Sequence, residues 1–364
     1  MAVYRIFPEQ DTFISTEVPT GNAGKDEIVE LGGYPDIAGL GETNRILVKY
    51  SSTDMSNVFA TKIGSRPFSA SLHMYLADAY DIPTTYTINA HPLYQSWDGG
   101  VGKFGDSPAN TTGVSWTYRT AGSTNAWTTT GFVAGTTASF NPGQEGGGVW
   151  YTNYSSSVSF GITSFHDVDI NVTAAVNAIS SSTILNNGFI LKLEKGLESQ
   201  TSSSVRLKYF GADTNTIYPP YLEFKWDDSS YNTGSLSTLN TSIAIITLMN
   251  NRGVYADEGK QRFRVAAKPK FPTRTFTITS PYLTNYALPS GSCWGLRDEN
   301  TQEMVIPFDS NFTKISCDAT GPYFDIYMDG LQPERYYRIL IKSELDGSTT
   351  VFDYKNILKV TRNG

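Results

Sequence analysis

Short apolar runs of strand length, separated by turn signals, recur along the chain and constrain its fold more than any other feature. They alternate apolar with polar residues or stay apolar throughout, and few approach the length of a helix. The clearest runs are Ile46–Tyr50, Leu72–Leu76, Tyr86–Ala90, Phe189–Leu193, Val205–Phe210 and Tyr221–Trp226. Turn clusters such as Asp98-Gly99-Gly100 lie between them. The pattern predicts an all-β protein.

One segment has the spacing of a helix. In Asn171–Ile179, Val172, Val176 and Ile179 fall on one helical face and Asn171 can cap the first turn. This predicts one short helix lying on a sheet. A second segment, Ser242–Asn250, fits a buried strand about as well as a helix.

The length of 364 residues suits two domains better than one. A polar, turn-rich stretch at 227–235 predicts a boundary between an N-terminal sandwich (1–228) and a C-terminal sandwich (235–364). Beyond it, seven strand candidates have the short spacing of an Ig-like sandwich. They are Arg262–Ala266, Thr275–Thr279, Glu303–Phe308, Thr313–Cys317, Tyr323–Met328, Tyr336–Lys342 and Thr349–Tyr354. The pair Tyr336-Tyr337 resembles the tyrosine corner that precedes a late strand in such sandwiches.

The charge balance argues against several partners. Only 17% of residues are charged and the net charge is −7, so no positive field exists to bind DNA directly. No apolar stretch is long enough for a membrane span, and the N-terminal residues lack the apolar core of a secretion signal. Cys293 and Cys317 could pair across a sandwich, but two buried free thiols are the favoured expectation.

Histidine and carboxylate patterns give weak signals for chemistry. His73 and His91 fit structural positions, whereas His166-Asp167-Val168-Asp169 is the best metal-like cluster, because alternate residues of an extended segment face one way. Asp167 and Asp169 could help to hold Ca²⁺. The favoured alternative is that Asp169 begins a helix turn and accepts hydrogen bonds from backbone amides.

A glycoside hydrolase would need two carboxylates facing one another across a groove. The acidic residues near aromatic side chains have no spacing that selects such a pair. They are Asp98, Asp106, Glu145, Asp227 and Asp228. No nucleophile elbow, P-loop or Cys-x-x-Cys motif is present. The sequence therefore predicts no catalytic, cofactor or metal site and no enzymatic activity.

Four tryptophans lie in loop-rich segments and could stack on sugar rings. Trp97 and Trp116 fit core positions better. Trp127 and Trp150 are the candidates for an exposed contact with a glycan or a neighbouring subunit.

Eight landmarks follow in order between residues 10 and 226. They are Asp11–Ile14, Asn22 with Gly24, Arg45–Tyr50, Ala70–Leu76, Trp97 with Val114-Ser115-Trp116, Asp169–Thr173 with Val176, Asn187–Leu191 and Pro219–Phe224. In this order they resemble the DNRLRE family of β-sandwich modules, and a Gly/Ser/Thr-rich insertion at about 121–154 departs from its pattern. The resemblance implies a jelly-roll sandwich, like a carbohydrate-binding module, without catalysis.

The functional expectation combines this resemblance with the hydroxyl-rich composition. The chain looks like structural proteins of marine tailed phages, which predicts a tail, neck, fibre or capsid-decorating component assembled in the bacterial cytoplasm. Its partners would be other virion proteins, in symmetric homo-oligomers, rings or particle-bound copies. The alternative is a carbohydrate- or receptor-binding adhesin module.

Overall fold

A computed structural model describes residues 2–35, 41–121, 125–127, 136–138, 146–198, 204–273 and 283–362. The protein is all-β, as predicted, and its antiparallel sheets are consistent with β-sandwiches. The jelly-roll and Ig-like assignments stay predictions. The first fourteen strands are β1 (Ala2–Ile6), β2 (Pro8–Ser15), β3 (Ile28–Pro35), β4 (Gly41–Tyr50), β5 (Phe68–Met74), β6 (Leu76–Tyr80), β7 (Thr85–Pro92), β8 (Thr136–Ala138), β9 (Val149–Tyr151), β10 (Ser156–Gly161), β11 (Val168–Asn171), β12 (Phe189–Leu193), β13 (Val205–Phe210) and β14 (Tyr221–Trp226).

The later strands and the short helical segments complete the described elements. The strands are β15 (Ala244–Leu248), β16 (Val254–Ala256), β17 (Lys260–Pro269), β18 (Cys293–Asp298), β19 (Met304–Ile306), β20 (Ser316–Asp318), β21 (Gly321–Tyr327), β22 (Arg335–Leu345) and β23 (Ser348–Thr361). The helices are α1 (Ser52–Asn57), α2 (Thr173–Ser180) and α3 (Lys195–Glu198), with a π-helical turn at Val58–Ile63 and a 3-10 turn at Met328–Gly330.

Strand prediction succeeded where the apolar pattern was strongest. The strands β12, β13 and β14 begin and end at the predicted residues. In β13 buried and half-buried residues alternate, whereas β12 is buried throughout because it lies between β7 and β4. The ambiguous segment Ser242–Asn250 contains a strand, β15. The predicted strand Thr275–Thr279 lies outside the described residues.

The prediction of a single helix was wrong. Helix α2 occupies the predicted place, but its N-cap is Val172, and Asn171 instead accepts a hydrogen bond from the Thr173 amide at 3.0 Å. Helix α1 was missed although its N-cap, Ser51, accepts a hydrogen bond from the Asp54 amide at 3.2 Å. A serine followed three positions later by an acidic residue is the signal that could have found it.

By its internal contacts the chain divides into two compact units. The N-terminal unit is Ile6–Ser65 with Ser69–Glu223, and the C-terminal unit is Met1–Arg5, Arg66–Phe68 and Phe224–Gly364. The division falls a few residues before the polar stretch at 227–235. The ranges 1–228 and 235–364 stay predictions for independently folding domains.

In the N-terminal unit, eight strands form one sheet in the order β10-β7-β12-β4-β3-β13-β6, with β2 paired to β4. A second sheet places β5 between β14 and β11. The register of β10 on β7 pairs Gly161 with Thr85, and that of β13 on β6 pairs Arg206 with Tyr80. These pairings place the β6–β7 connection and the β10–β11 turn at the same end of the large sheet.

The C-terminal unit has a four-stranded sheet, β15-β17-β21-β20, and a five-stranded sheet, β16-β23-β22-β18-β19. An aromatic stack joins the inner faces of the two sheets. Phe263 of β17 stacks on Phe324 of β21 with 5.6 Å between ring centroids, and Trp294 of β18 stacks on Phe324 at 5.2 Å. All three side chains are buried. Two sheets that share such a core form a sandwich.

The predicted tyrosine corner has the hydrogen bond that defines this motif. Tyr337 is buried, and its hydroxyl donates to the Gln332 carbonyl at 2.8 Å, five residues upstream. Tyr336 is about half exposed. Burial raises the pKa of Tyr337 well above its ordinary range. The motif fixes the entry of the chain into β22.

Candidate functional site

The four N-terminal tryptophans form one buried cluster. Trp97 and Trp116 are core residues, as expected. The prediction that Trp127 and Trp150 are exposed was wrong, because their exposed fractions are only 6% and 4%. The Trp127 indole N–H donates to the Ser115 carbonyl at 3.1 Å. Neither ring offers a face on which a sugar could stack.

The tryptophan cluster surrounds a buried ion pair. Arg45, on β4, is fully buried, and its Nε and Nη2 donate to the two carboxylate oxygens of Glu198 at 2.9 and 3.1 Å. Nη1 donates to the Gly147 carbonyl at 2.6 Å. The guanidinium carbon lies 4.8 Å from the ring centroid of Trp116 and 5.3 Å from that of Trp150. Aromatic rings attract a buried cation, so the two tryptophans enclose the arginine.

The fold brings Glu198 to this place through a close approach of backbones. Glu198 lies on α3, directly after β12, and α3 packs against β3 at Gly33. A Cβ atom at Gly33 would lie 2.4 Å from the Leu197 carbonyl oxygen. A larger residue would therefore push α3 away from Arg45.

Further cations shape the electrostatics of this cluster. The Lys192 Nζ lies 3.0 Å from the Glu198 carboxylate, and burial lowers the pKa of Lys192 although that carboxylate opposes the shift. Burial, with the nearby Lys192 and Arg45 cations, lowers the pKa of His91 to about 4. His91 is therefore neutral near pH 7. Sequence reasoning missed Lys192 and Glu198 because their role depends on tertiary pairing.

The predicted metal-like cluster is divided among separate contacts. His166 Nδ1 hydrogen-bonds the Tyr86 hydroxyl at 2.7 Å, and Asp167 accepts a hydrogen bond from the Leu76 amide at 2.8 Å. Asp169 does not begin a helix turn. It lies in β11 with its Oδ1 3.5 Å from Nε2 of His73. In the ranges that the structure describes, no group of three His, Cys, Asp or Glu side chains could hold a metal ion.

Of the five carboxylates considered for hydrolysis, three accept hydrogen bonds from backbone amides in turns. Asp106 accepts from the Lys103 amide at 2.9 Å, and Asp227 accepts from the Ser229 amide at 2.8 Å. Asp98 accepts from the Gly100 amide at the longer distance of 3.4 Å. Glu145 lies outside the described residues. Cys293 and Cys317 are buried free thiols.

Asp11 lines a polar cavity of about 290 Å³ in the N-terminal unit. Its side chain is 4% exposed, and its Oδ2 accepts a hydrogen bond from the Ala212 amide at 2.8 Å. Burial raises the pKa of Asp11 to about 6, although this hydrogen bond opposes the shift. Burying this carboxyl therefore costs desolvation free energy when it is ionised.

Among the residues of the N-terminal unit that the structure describes, the most exposed large apolar ones lie in the β10–β11 turn. Phe165 is 93% exposed and Ile162 is 79% exposed. Tyr80 and Ile82, at the β6–β7 connection, lie at the same end of the sheet and are also exposed. We call residues 162–165 the apolar turn. Two large apolar side chains exposed within one four-residue turn make it a candidate surface for binding another molecule.

Hydrogen bonds and ring stacking hold the residues at the base of the apolar turn. The Gly161 amide donates to the Ser164 hydroxyl at 3.0 Å, which closes the turn. His166, the next residue after the turn, stacks on Tyr86 with 5.6 Å between ring centroids, and its carbonyl accepts from the Tyr209 hydroxyl at 3.2 Å. These contacts hold the base of the turn against β7 and β13. Two large apolar residues inside a turn were the sequence signal for it.

No family model and no curated protein matches the sequence. Among solved structures, a DUF4785 family protein from Legionella pneumophila aligns at 7% identity and a TM-score of 0.18, over 97% of this chain and 65% of that one. A β-glucuronidase from Parabacteroides merdae aligns at 9% identity and a TM-score of 0.17, over 82% of this chain and 29% of that one. The chain spans less than two thirds of either protein. At these TM-scores neither alignment supports an argument about fold or function.

No helix in the described ranges is both long and apolar enough to cross a membrane.

Proposed function

We propose that the chain is a structural component of a tailed-phage virion, a tail, neck, fibre or capsid-decorating protein that acts through contacts with other virion proteins. The apolar turn carries the proposal. Leaving a phenylalanine in water forgoes about 2 kcal/mol relative to burying it. Phe165 is nevertheless 93% exposed on a fixed base. Aromatic side chains of this kind are enriched at protein interfaces.

Two features of the sequence support the same proposal. The eight landmarks between residues 10 and 226 resemble a module found in viral structural proteins, and the low charged fraction of 17% suits assembly through polar and apolar contacts. We place the chain in the virion, assembled in the bacterial cytoplasm, with other virion proteins and further copies of itself as partners.

The proposed role is not enzymatic. The most deeply buried ion pair, Arg45 with Glu198, is covered by Trp116 and Trp150, which denies a substrate access to it. The apolar turn offers only the hydroxyls of Thr163 and Ser164 as nucleophiles, and the Ser164 hydroxyl accepts from the Gly161 amide. Binding is the chemistry that these surfaces can perform.

Quantitative mass spectrometry of gradient-purified particles tests the proposal. The chain should be present in a fixed ratio to the other particle proteins. Phe165→Asp should lower the incorporated copies at least tenfold, because a carboxylate cannot be buried in an apolar contact. Val101→Asp is the matched control, since Val101 is also exposed, at 65%. Its neighbour Gly102 accepts from the Lys25 amide just before β3, at the end of the large sheet opposite the apolar turn. Val101→Asp should incorporate like the wild type.

Absence of the chain from purified particles would refute the virion role. Equal incorporation of Phe165→Asp and Val101→Asp would refute the apolar turn as its contact surface. Particles that keep the Phe165→Asp chain but adsorb to host cells at least tenfold less would favour the receptor-binding alternative instead. Trp127 and Trp150 do not support glycan binding, because both are buried.

A further inference from the structure

Among the described strands of the C-terminal unit, β15 lies at the edge of its sheet and pairs only with β17. The register runs from Ala244 opposite Pro269 to Leu248 opposite Val265. At the two ends of the pairing, the Lys270 amide donates to the Ile243 carbonyl at 3.0 Å and the Met249 amide donates to the Arg264 carbonyl at 2.8 Å. The odd-numbered residues of β15 are therefore those that bond to β17.

The even-numbered residues direct their backbone groups away from β17. In an antiparallel edge strand, residues that do not bond to the neighbour point their N–H and C=O groups outward. These residues are Ala244, Ile246 and Leu248, and within the described chain their backbone groups have no hydrogen-bond partner. Strand β23 passes close to β15 without a hydrogen bond to it. In the ranges that the structure describes, the outer edge of β15 is thus open to a further strand.

The composition of β15 lacks the usual protection of an edge. Natural edge strands carry charges, prolines or bulges that prevent pairing. No Asp, Glu, Lys, Arg or His occurs from Ser229 to Asn251. The other three edge strands of the two sheets β15-β17-β21-β20 and β16-β23-β22-β18-β19 each have a charged residue in or beside the strand: Asp318 in β20, Glu303 before β19 and Asp257 after β16. Only β15 is left without one.

We infer that β15 pairs with β15 of a second copy of this chain, in an antiparallel arrangement about a two-fold axis. Ile246 would lie opposite its own copy, and Ala244 opposite Leu248. Each of these three residue pairs exchanges two hydrogen bonds, about six in all. Two-fold symmetry brings like residues together near the axis, and a charged strand would repel its copy there. The uncharged β15 meets no such repulsion, so its edge fits a second copy of itself.

The side chains fit this pairing. Ala244 and Ile246 point into the core, whereas Ile245 and Thr247 lie half-buried on the opposite face, where they would meet their counterparts across the axis. Ile243 and Met249, at the two ends of β15, are 57% and 61% exposed, and pairing would cover them. The inference goes beyond the virion role, because such a dimer would form in solution whether or not the chain enters a particle.

Sedimentation velocity of the purified full chain over a concentration series tests the inference. The wild type should sediment as a dimer that dissociates on dilution. Thr247→Lys places a charge beside the axis and should raise the dimer dissociation constant at least tenfold. Ala244→Pro removes an outward N–H without removing a bond to β17, and it should have the same effect. Thr349→Lys makes the same substitution on exposed β23, opposite Glu344, and should leave the dimer unchanged.

Near-ultraviolet circular dichroism identifies whether each variant keeps the native fold. A wild type that stays monomeric at every concentration would overturn the inference. So would a folded Thr247→Lys protein that dimerises as tightly as Thr349→Lys. If Ala244→Pro does not fold, the Thr247→Lys result decides alone. Neither outcome depends on finding the chain in particles, so the dimer and the virion role can fail separately.

Discussion

Replacing Glu198 with glutamine is the sharpest test of the buried ion pair. The carboxylate is fully buried and receives Arg45 Nε at 2.9 Å, Arg45 Nη2 at 3.1 Å and Lys192 Nζ at 3.0 Å. Glutamine keeps the size of the side chain but leaves two cations without a buried counter-charge. Breaking one partner of a buried pair costs about 3–5 kcal/mol. Glu198→Gln should therefore lower the free energy of unfolding of the N-terminal unit by that amount.

Urea unfolding followed by tryptophan fluorescence measures this loss, because Trp116 and Trp150 line the ion pair and report its exposure. Glu194→Gln is the matched control, since Glu194 is exposed and lies on the same segment, and it should change stability by less than about 0.5 kcal/mol. In an Arg45→Met background the further loss from Glu198→Gln should be smaller, because the main partner is already gone. A loss from Glu198→Gln no larger than that of the control would refute the reasoning.

Two further changes test individual groups. Because the pKa of Asp11 is raised from 3.8 to about 6 in the fold, the folded state binds this proton more tightly, and stability should fall as pH rises from about 4 to about 6. Asp11→Asn should remove that dependence and be more stable than the wild type at pH 8 by up to about 3 kcal/mol. If the free energy of unfolding changes equally with pH in both proteins between pH 4 and 8, the prediction is contradicted. Tyr337→Phe should cost about 1–2 kcal/mol in thermal unfolding by leaving the Gln332 carbonyl without its donor. The exposed Tyr336→Phe should cost less than about 0.5 kcal/mol, and equal losses would contradict the tyrosine corner.

Strands could be predicted where the side-chain pattern reports burial directly. In β13 every second residue is buried, and β12 lies between two neighbours, so an alternating and a continuous apolar run each gave the correct bounds. The short helix α1 has no long amphipathic pattern, because only Met55 of its six residues is buried. Its capping serine was the remaining signal.

The burial of Trp127 and Trp150 could not be predicted because it depends on distant residues. A tryptophan in a Gly/Ser/Thr-rich insertion has the local features of an exposed loop. The partner of the cluster, Glu198, lies 153 positions from Arg45 in the chain, and only the sheet brings them together. By contrast, the tyrosine corner is local, because Gln332 and Tyr337 are five positions apart, and the sequence predicted it.

Imaging the purified particle at a resolution that places this chain tests the assembly role most directly. The proposal predicts several symmetry-related copies, with Phe165 and Ile162 of each buried against a neighbouring protein. A particle map in which the chain is located but the apolar turn faces solvent in every copy would contradict it.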